Sequence, residues 1–358
     1  MFDKEILRIK LLNKIENIVK LNQTHNIHLT DLMIYESDKS EDPILSILTK
    51  SYGLPKDVVS HINLLVSQAI TLLKNNNLSK KSNKSKPHNT ESRLHKKQTH
   101  HHIILTYKTP LISLENATIK INMKAYKRIK RHVINESYKD RLSFDELLWI
   151  LYYRYINLNL YNNSQGAVHP RYYNALHKKF GTETEGFGSF FNHTLKYYYG
   201  LFPDLEKYFG CLGNFFTSKL TKPFYVINPP FTIEQINLTI AHMLSELNKR
   251  PNLTILFVIP AWVNSDRVKL QKKCRRPIQL KKYKDKLDID KLKKSAYMKE
   301  YLLYCQENFE YYDYLKEQNV KFAPSNLILL SNADKQSNKN PVLSSMETIF
   351  GKCDISIK

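Results

Sequence analysis

The spacing of apolar positions changes several times along the chain. Ile6, Ile9, Leu12, Ile15 and Val19 recur at helical spacing. Val58, Ile62, Leu65, Val66 and Ala69 do so again behind Pro55, which suits a first helical position, so residues 1–77 read as helices with a packing or oligomer face. Residues 78–102 are Ser, Asn, Lys and His with almost no large apolar side chain, and read as a basic flexible linker. The adjacent His100, His101 and His102 lack metal-ligand spacing. Residues 118–122 alternate like a short strand, and a basic helix bearing Lys124, Lys127, Arg128, Lys130 and Arg131 follows. Ser143-Phe-Asp-Glu146 is a capping box ahead of Leu147, Leu148, Leu151 and Tyr155. Residues 103–165 therefore predict a mostly helical lobe.

Beyond residue 166 the pattern becomes that of an α/β sheet. Pro170 opens a helix that runs through Ala175 and Leu176 to Phe180. The glycine-containing stretch up to Ser189 reads as a first strand and its turn. Phe224, Tyr225, Val226 and Ile227 form a continuous apolar run that stops at Asn228-Pro229-Pro230-Phe231. A helical segment and a second apolar run over 253–260 complete a βαβ unit, and residues 325–330 predict a last core strand. The tail from Ala333 reads as peripheral.

Asn-Pro-Pro-Phe is a rigid turn on the plainest view. At the carboxyl end of a strand, where open α/β sheets bind ligands, its residue types also fit methyl transfer to the exocyclic amine of a planar base. Such an amine is a poor nucleophile because its lone pair is delocalised into the ring. The amide oxygen of Asn228 and the carbonyl of Pro229 can accept its two hydrogens and favour the pyramidal form. Pro229 and Pro230 restrict the backbone, and Phe231 offers a face for the base. Gly186, Gly188 and Ser189 would let a ligand approach the first strand's turn, with Glu185 or Asn192 bonding its polar groups. Trp262, at the end of the second run, suits either a core position or stacking on a cationic base.

Charge narrows the partners. The 358 residues carry a formal net charge of +22, which points to a polyanion. Lys272, Arg275 and Arg276 lie in a basic arm spanning 267–299 that could grip phosphates. No apolar run reaches the roughly 20 residues of a membrane span, and the acidic start Met1-Phe-Asp-Lys-Glu is unlike a secretory signal. Cys211, Cys274, Cys305 and Cys353 are far apart in sequence and read as free thiols of a reducing compartment, without a zinc site or a disulfide framework. An intracellular protein, cytoplasmic or nuclear, is the expectation.

The motifs taken together resemble a known family. Gly166-Ala-Val-His-Pro170, Ala175-Leu-His-x-x-Phe-Gly181, Glu185-x-Phe-x-Ser189 with Asn192, Phe202-Pro-Asp204, Tyr208-Phe-Gly210, Asn228-Pro-Pro-Phe231 and Ile259-Pro-x-Trp262 occur in order. This stretch resembles the catalytic core of the phosphorylated-CTD-interacting-factor family, the cap-specific mRNA adenosine N6-methyltransferases. The resemblance implies a Rossmann-like class I methyltransferase domain with a helical accessory lobe, S-adenosyl-L-methionine as donor, and capped mRNA as partner. The acceptor would be N6 of the first transcribed adenosine beside the 7-methylguanosine cap. By matching position Asn228, Pro229, Pro230 and Phe231 would carry catalysis. Glu185, Phe187, Ser189 and Asn192 would line the donor pocket, shared with Asn228 and Phe231. Trp262, with Val263, Asn264 and Ser265 in the loop after it, would meet the cap. Glu234, Arg128, Arg131, Lys272, Arg275 and Arg276 complete the substrate-binding set.

The sequence departs from the family at Ala261 and Val263, where an acid and a basic residue are usual, and at Ile233, often acidic there. Gly186 and Gly188 replace larger residues. Trp149 and Trp262 are too far apart to form a WW module, so docking on a polymerase tail is not implied. Two other functions fit the same residues: N6-methylation of internal RNA or DNA adenines, and a non-catalytic RNA-binding subunit that keeps the fold.

Overall fold

The structure, a computed structural model, describes Ile6, Ile9 and Lys10 together with residues 93–108, 117–140, 142–157, 160–161, 166–278, 287–333 and 343–357. The helical reading of 1–77 otherwise lies outside the described residues; Ile6, Ile9 and Lys10 are helical, the first two buried. The chain forms two compact units, one of Met1–Arg131 with Glu136–Ser164, the other of His132–Asn135 with Gln165–Lys358.

The first unit holds β1 (Arg93–Gln98), β2 (His102–Lys108) and β3 (Thr118–Asn122) in one antiparallel sheet, then α1 (Met123–Arg131) and α2 (Phe144–Asn157). Alternation buries Ile103, Leu105, Tyr107, Ile119 and Ile121 on one face. Ala125, Tyr126 and Ile129 of α1 are buried, as is α2 from Leu147 to Tyr155. The capping box forms as its spacing requires: Ser143 N–H donates to Glu146 Oε2 at 2.7 Å and Glu146 N–H to Ser143 Oγ at 3.3 Å. Trp149 lies flat on Tyr153, with its indole N–H on the Ala117 carbonyl at 2.8 Å.

Two expectations change here. Residues 93–98 and 102 are strand and not linker, and His100 and His101 sit at a hairpin tip closed by Thr99 N–H to the His102 carbonyl at 2.8 Å. Among the described residues the lobe is a sheet with two helices and not mostly helical. The strand was hidden because β1 offers Leu94 as its one large apolar side chain, and charged edge strands carry little hydrophobic signal.

The second unit continues with β4 (Gly166–Val168), α3 (Pro170–Phe180), β5 (Thr184–Glu185), β6 (Tyr197–Tyr198), α4 (Pro203–Glu206), β7 (Phe224–Ile227), α5 (Ile233–Lys249), β8 (Thr254–Pro260), α6 (Asn264–Gln271) and α7 (Ile289–Lys293). It ends with β9 (Met298–Tyr304), β10 (Tyr311–Asp313), β11 (Gln318–Val320), β12 (Ser325–Ser331), α8 (Leu343–Phe350) and β13 (Ile355–Ile357). The main sheet runs β13-β9-β12-β8-β7-β5-β6. Its β6, β5, β7 and β8 are mutually parallel, and β12 enters antiparallel between β8 and β9. A small antiparallel sheet, β11-β10-β4, takes in the segment before α3.

Helices cover both faces of the main sheet. Tyr225, Ile227, Ile255, Phe257 and Ile328 pack with Ile236, Ile240, Met243 and Leu247 of α5. On the other side Phe224, Val226, Leu256, Val258 and Leu327 pack with Tyr172, Tyr173 and Leu176 of α3 and with Met346 and Phe350 of α8. Burial on both faces explains why these strands read as unbroken apolar runs. Each such side chain contributes about 1.5–3 kcal/mol on burial. Residues after Ala333 are thus not all peripheral: α8 seals one face, and β13 adds an edge strand to β9.

Cys274 and Cys305 form a disulfide, with Cα atoms 5.4 Å apart across a sequence separation of 31. The free-thiol expectation therefore fails for this pair. The fold brings the end of α6 against the end of β9, a proximity that sequence distance cannot report, and the cysteine argument for a reducing compartment goes with it. Cys211 and Cys353 are free. Among the described residues no helix is long and apolar enough to cross a membrane.

Candidate active site

The parallel strands end along one edge of the main sheet, and the loop after β7 starts there. Asn228 Nδ2 donates to the Val258 carbonyl of β8 at 2.8 Å. A carbonyl only accepts, so this bond identifies the nitrogen and leaves Oδ1 on the other side of the amide. That oxygen takes no hydrogen bond from the described residues. The Pro230 carbonyl accepts Thr232 N–H at 2.9 Å, whereas no described backbone N–H is directed at the Pro229 carbonyl. Thr232 caps α5, its Oγ1 accepting Gln235 N–H at 3.3 Å, and so ends the loop where the helix begins. Consecutive residues thus carry one side-chain and one main-chain acceptor that no described backbone N–H engages.

Phe231 is half-buried between two aromatic rings. Trp262 meets it edge-on at 6.4 Å between centroids, and Tyr311 does so at 6.0 Å. The structure thus brings Asn228, Pro229, Pro230, Phe231 and Trp262 together. Tyr311 is a contributor that the sequence pattern did not reveal, since it arrives from the small sheet. Behind it, 5.4 Å away, lies Phe322, 47% exposed. A Cβ at Gly166 would come within 2.3 Å of that ring, so a larger residue there would push the exposed Phe322 side chain aside.

The residues expected around the donor take more structural roles. A Cβ at Gly186 would meet Ile227 at 2.8 Å, and one at Gly188 would meet Tyr198 at 3.0 Å. The missing side chains make room for Ile227 and Tyr198, a packing reason for these glycines beside the expected approach of a ligand. Ser189 and Asn192 fix each other's turn: Asn192 Oδ1 accepts from Ser189 N–H at 2.7 Å and from its hydroxyl at 2.8 Å. Phe187 packs on Phe215 at 4.8 Å.

Glu185 differs, because its two carboxylate oxygens are engaged unequally. Oε1 accepts Thr194 and Leu195 N–H at 2.5 and 2.7 Å, while buried Oε2 makes no hydrogen bond of good geometry and has the Tyr173 hydroxyl as its near neighbour. Burial pushes this carboxyl up to about 8, against the opposing pull of the two backbone N–H groups and, after them, the Tyr173 hydroxyl. The folded chain therefore holds a proton that the unfolded chain loses near 4.5. The resulting stability is complete below 4.5 and is lost as pH rises through about 8. Glu185→Gln keeps an acceptor for the N–H groups but cannot ionise. Its Tm should fall less than that of wild type between those pH values; parallel Tm–pH curves would assign the buried proton elsewhere.

The segment after Trp262 is the first turn of α6 and not a loop. Val263 is half-buried and Ser265 exposed. Asn264 starts the helix. The residues that fix this segment are Asp266 and Arg267, which sequence reasoning passed over. Arg267 Nε donates to the Ala261 carbonyl at 2.7 Å, holding the end of β8. Buried Asp266 accepts the Tyr301 hydroxyl at 2.6 Å and the Lys293 ammonium at 3.2 Å. Asn326 Nδ2 donates to that same hydroxyl at 2.7 Å. An Asp-Arg pair in a charged stretch looks solvated until the helix turns both residues inward.

Glu234 is exposed in the first turn of α5, and Lys272, Arg275 and Arg276 are exposed beyond α6. Lys293, counted with the basic arm, is tied to Asp266. Arg128 and Arg131 lie on α1 in the other unit.

The comparisons with known proteins agree with the motifs. The family described as Phosphorylated CTD interacting factor 1 WW domain matches residues 124–287. The chain is 30% identical over 132 residues to a protein of Homo sapiens named mRNA (2'-O-methyladenosine-N(6)-)-methyltransferase, across 34% of this chain and 19% of that protein. A Mus musculus protein of the same name is 30% identical over 133 residues, with the same two shares, 34% and 19%. The chain thus spans about a fifth of the length of these curated relatives. The resemblance to the phosphorylated-CTD-interacting-factor family stands on the segment that carries the Asn228 loop and Trp262.

Proposed function

We propose that the chain is an S-adenosyl-L-methionine-dependent methyltransferase acting on N6 of the first transcribed adenosine, next to the 7-methylguanosine cap of mRNA. The observation that carries this reading is the Asn228 amide. One N–H of its nitrogen is held by the Val258 carbonyl, which leaves its oxygen to accept from a donor such as an amine N–H. The named activity of the human and mouse relatives supports the same assignment. A Rossmann-like class I arrangement suits the parallel β6-β5-β7-β8 order, with ligands at the carboxyl ends of the strands.

Asn228 Oδ1 and the Pro229 carbonyl accept the two N6 hydrogens and turn the lone pair away from the adenine ring. Phe231, braced by Trp262 and Tyr311, supports the base. Glu185 at the end of β5 offers a buried carboxyl whose Oε2 makes no hydrogen bond of good geometry and could exchange its Tyr173 neighbour for a polar group of the methyl donor, so the residues fit the cofactor. Glu185, Phe187, Asn228 and Phe231 would hold it, with Ser189 and Asn192 shaping the turn. S-adenosyl-L-methionine supplies an electrophilic methyl group there. The N6 proton leaves to water, because the amine acidifies as it becomes methylated.

Trp262 separates cap-specific from general adenine methylation. An indole face attracts a cationic 7-methylguanine by about 0.5–2 kcal/mol. Trp262→Ala should therefore raise KM for capped RNA by about tenfold, with a smaller effect on kcat. Wild type should prefer capped over uncapped RNA that begins with adenosine, as read by mass spectrometry of the product. An unchanged preference in Trp262→Ala would place the tryptophan in the core alone. Equal methylation of both RNAs by wild type would favour internal RNA or DNA adenines. Ala261 and Val263, where the family carries charge, make that the second reading.

A further inference from the structure

The sheet of the first unit has two unlike faces. One is apolar and carries Ile103, Leu105, Tyr107, Ile119 and Ile121. Lys96 turns to that side as well, where its ammonium donates to the Tyr126 hydroxyl at 2.9 Å and pairs with Asp145 at 2.9 Å. The register then sends its neighbours the other way. Lys97, Ile104 and Lys120 form one cross-strand row, His95, Thr106 and Thr118 the next, and Lys108 lies beyond them on β2. His95, Lys97, Lys108 and Lys120 are exposed.

No acidic residue occurs in any of the three strands. None of Lys97, Lys108 and Lys120 has an ion-pair partner among the described residues. Partial burial and, after it, the Lys120 ammonium and His101 push His102 below its usual value, as expected beside unneutralised positive charge. Neighbouring strands lie about 4.8 Å apart, so Lys97 and Lys120 stand roughly 10 Å from each other across the face. Like charges arranged this way repel unless an anion lies between them.

We propose that this sheet face is a docking surface for single-stranded RNA, gripping its phosphates without reading sequence. The strands lie outside the segment matched by the family, so the surface belongs to this chain's own amino-terminal part. Charge complementarity selects the occupant. The face offers Ile104 alone as a large apolar side chain to enter a membrane, whereas its lysines stand on successive strands as the spaced charges of a single-strand backbone require. Cationic surfaces that follow a single-strand backbone bind in this way, with strong salt dependence. The proposal does not rest on the methyltransferase reading.

The test uses the full chain and a labelled, uncapped oligouridylate, which contains no methyl acceptor, in fluorescence anisotropy over a salt series. Lys97→Glu/Lys108→Glu/Lys120→Glu should weaken binding at least about tenfold at low salt. The log–log salt slope should shrink by about 2, because each single-strand phosphate contact contributes about 0.7. Lys178→Glu/Lys179→Glu/Lys219→Glu, with the same change in net charge elsewhere, should weaken it far less. Thermal unfolding reports whether each variant folds, and Lys→Gln at the same three strand positions replaces reversal should it not. Equal weakening by both triple variants would reduce the effect to net charge and overturn the proposal. Unchanged binding in the strand variant would do so too. So would phosphatidylserine vesicles being released by that variant while RNA stays bound.

Discussion

Asn228→Ala should lower methyl transfer to capped adenosine RNA by about two to three orders of magnitude, the range seen when one positioned polar group leaves a polar transition state. The substitution removes the acceptor oxygen and also the nitrogen bonded to Val258, so the loop loses its anchor as well. That lost bond costs only about 1 kcal/mol of stability, and the protein should unfold within a few degrees of wild type. Asn228→Asp separates the two roles. A carboxylate retains acceptor oxygens but cannot donate to a carbonyl, so it should be repelled from Val258 and fail almost as badly. Single-turnover assays with saturating donor measure both variants. Near-normal rates in the two would remove this loop from the chemistry.

The largest expected effect on stability lies at Asp266. Its carboxylate is fully buried and accepts from Tyr301 and Lys293. Asp266→Ala leaves the Lys293 ammonium without its anion and removes the acceptor for a buried phenol. Breaking a buried pair costs about 3–5 kcal/mol, and the partial exposure of Lys293 argues for the lower end. In a unit of this size about 3 kcal/mol corresponds to a fall of roughly 10 °C in Tm. Asp266→Asn keeps one acceptor and should fall between. Calorimetry showing a change of only a degree or two would mean that water satisfies Lys293 and Tyr301 just as well.

The contrast between Asn228 and Asp266 marks what sequence could reveal. Local order was legible: the capping box at Ser143, the helix opening at Pro170, and the strands at 224–227, 254–260 and 325–331 all follow from period or punctuation. The pairing of Asn228 with Trp262 was also inferable, because both terminate neighbouring strands. Contacts made through the third dimension were not. Tyr311 reaches Phe231 from a separate small sheet, Asp266 reads as one charge among many, and Cys274 meets Cys305 only after β9 is in place. β1 was missed because its inward positions are Leu94, Lys96 and Gln98, of which the lysine finds its partner on a helix.

The bond from Asn228 to Val258 ends on a main-chain oxygen, which every amino acid supplies. The acceptor's aim is therefore insulated from drift in the side chains of the neighbouring strand. Substitutions along 254–260 that keep the packing and the strand pairing leave the amide registered through the peptide backbone. Distant relatives can then diverge across that strand and still present the same oxygen, provided that the strand keeps its place in the sheet. The tetrapeptide would accordingly outlast its surroundings as sequences part.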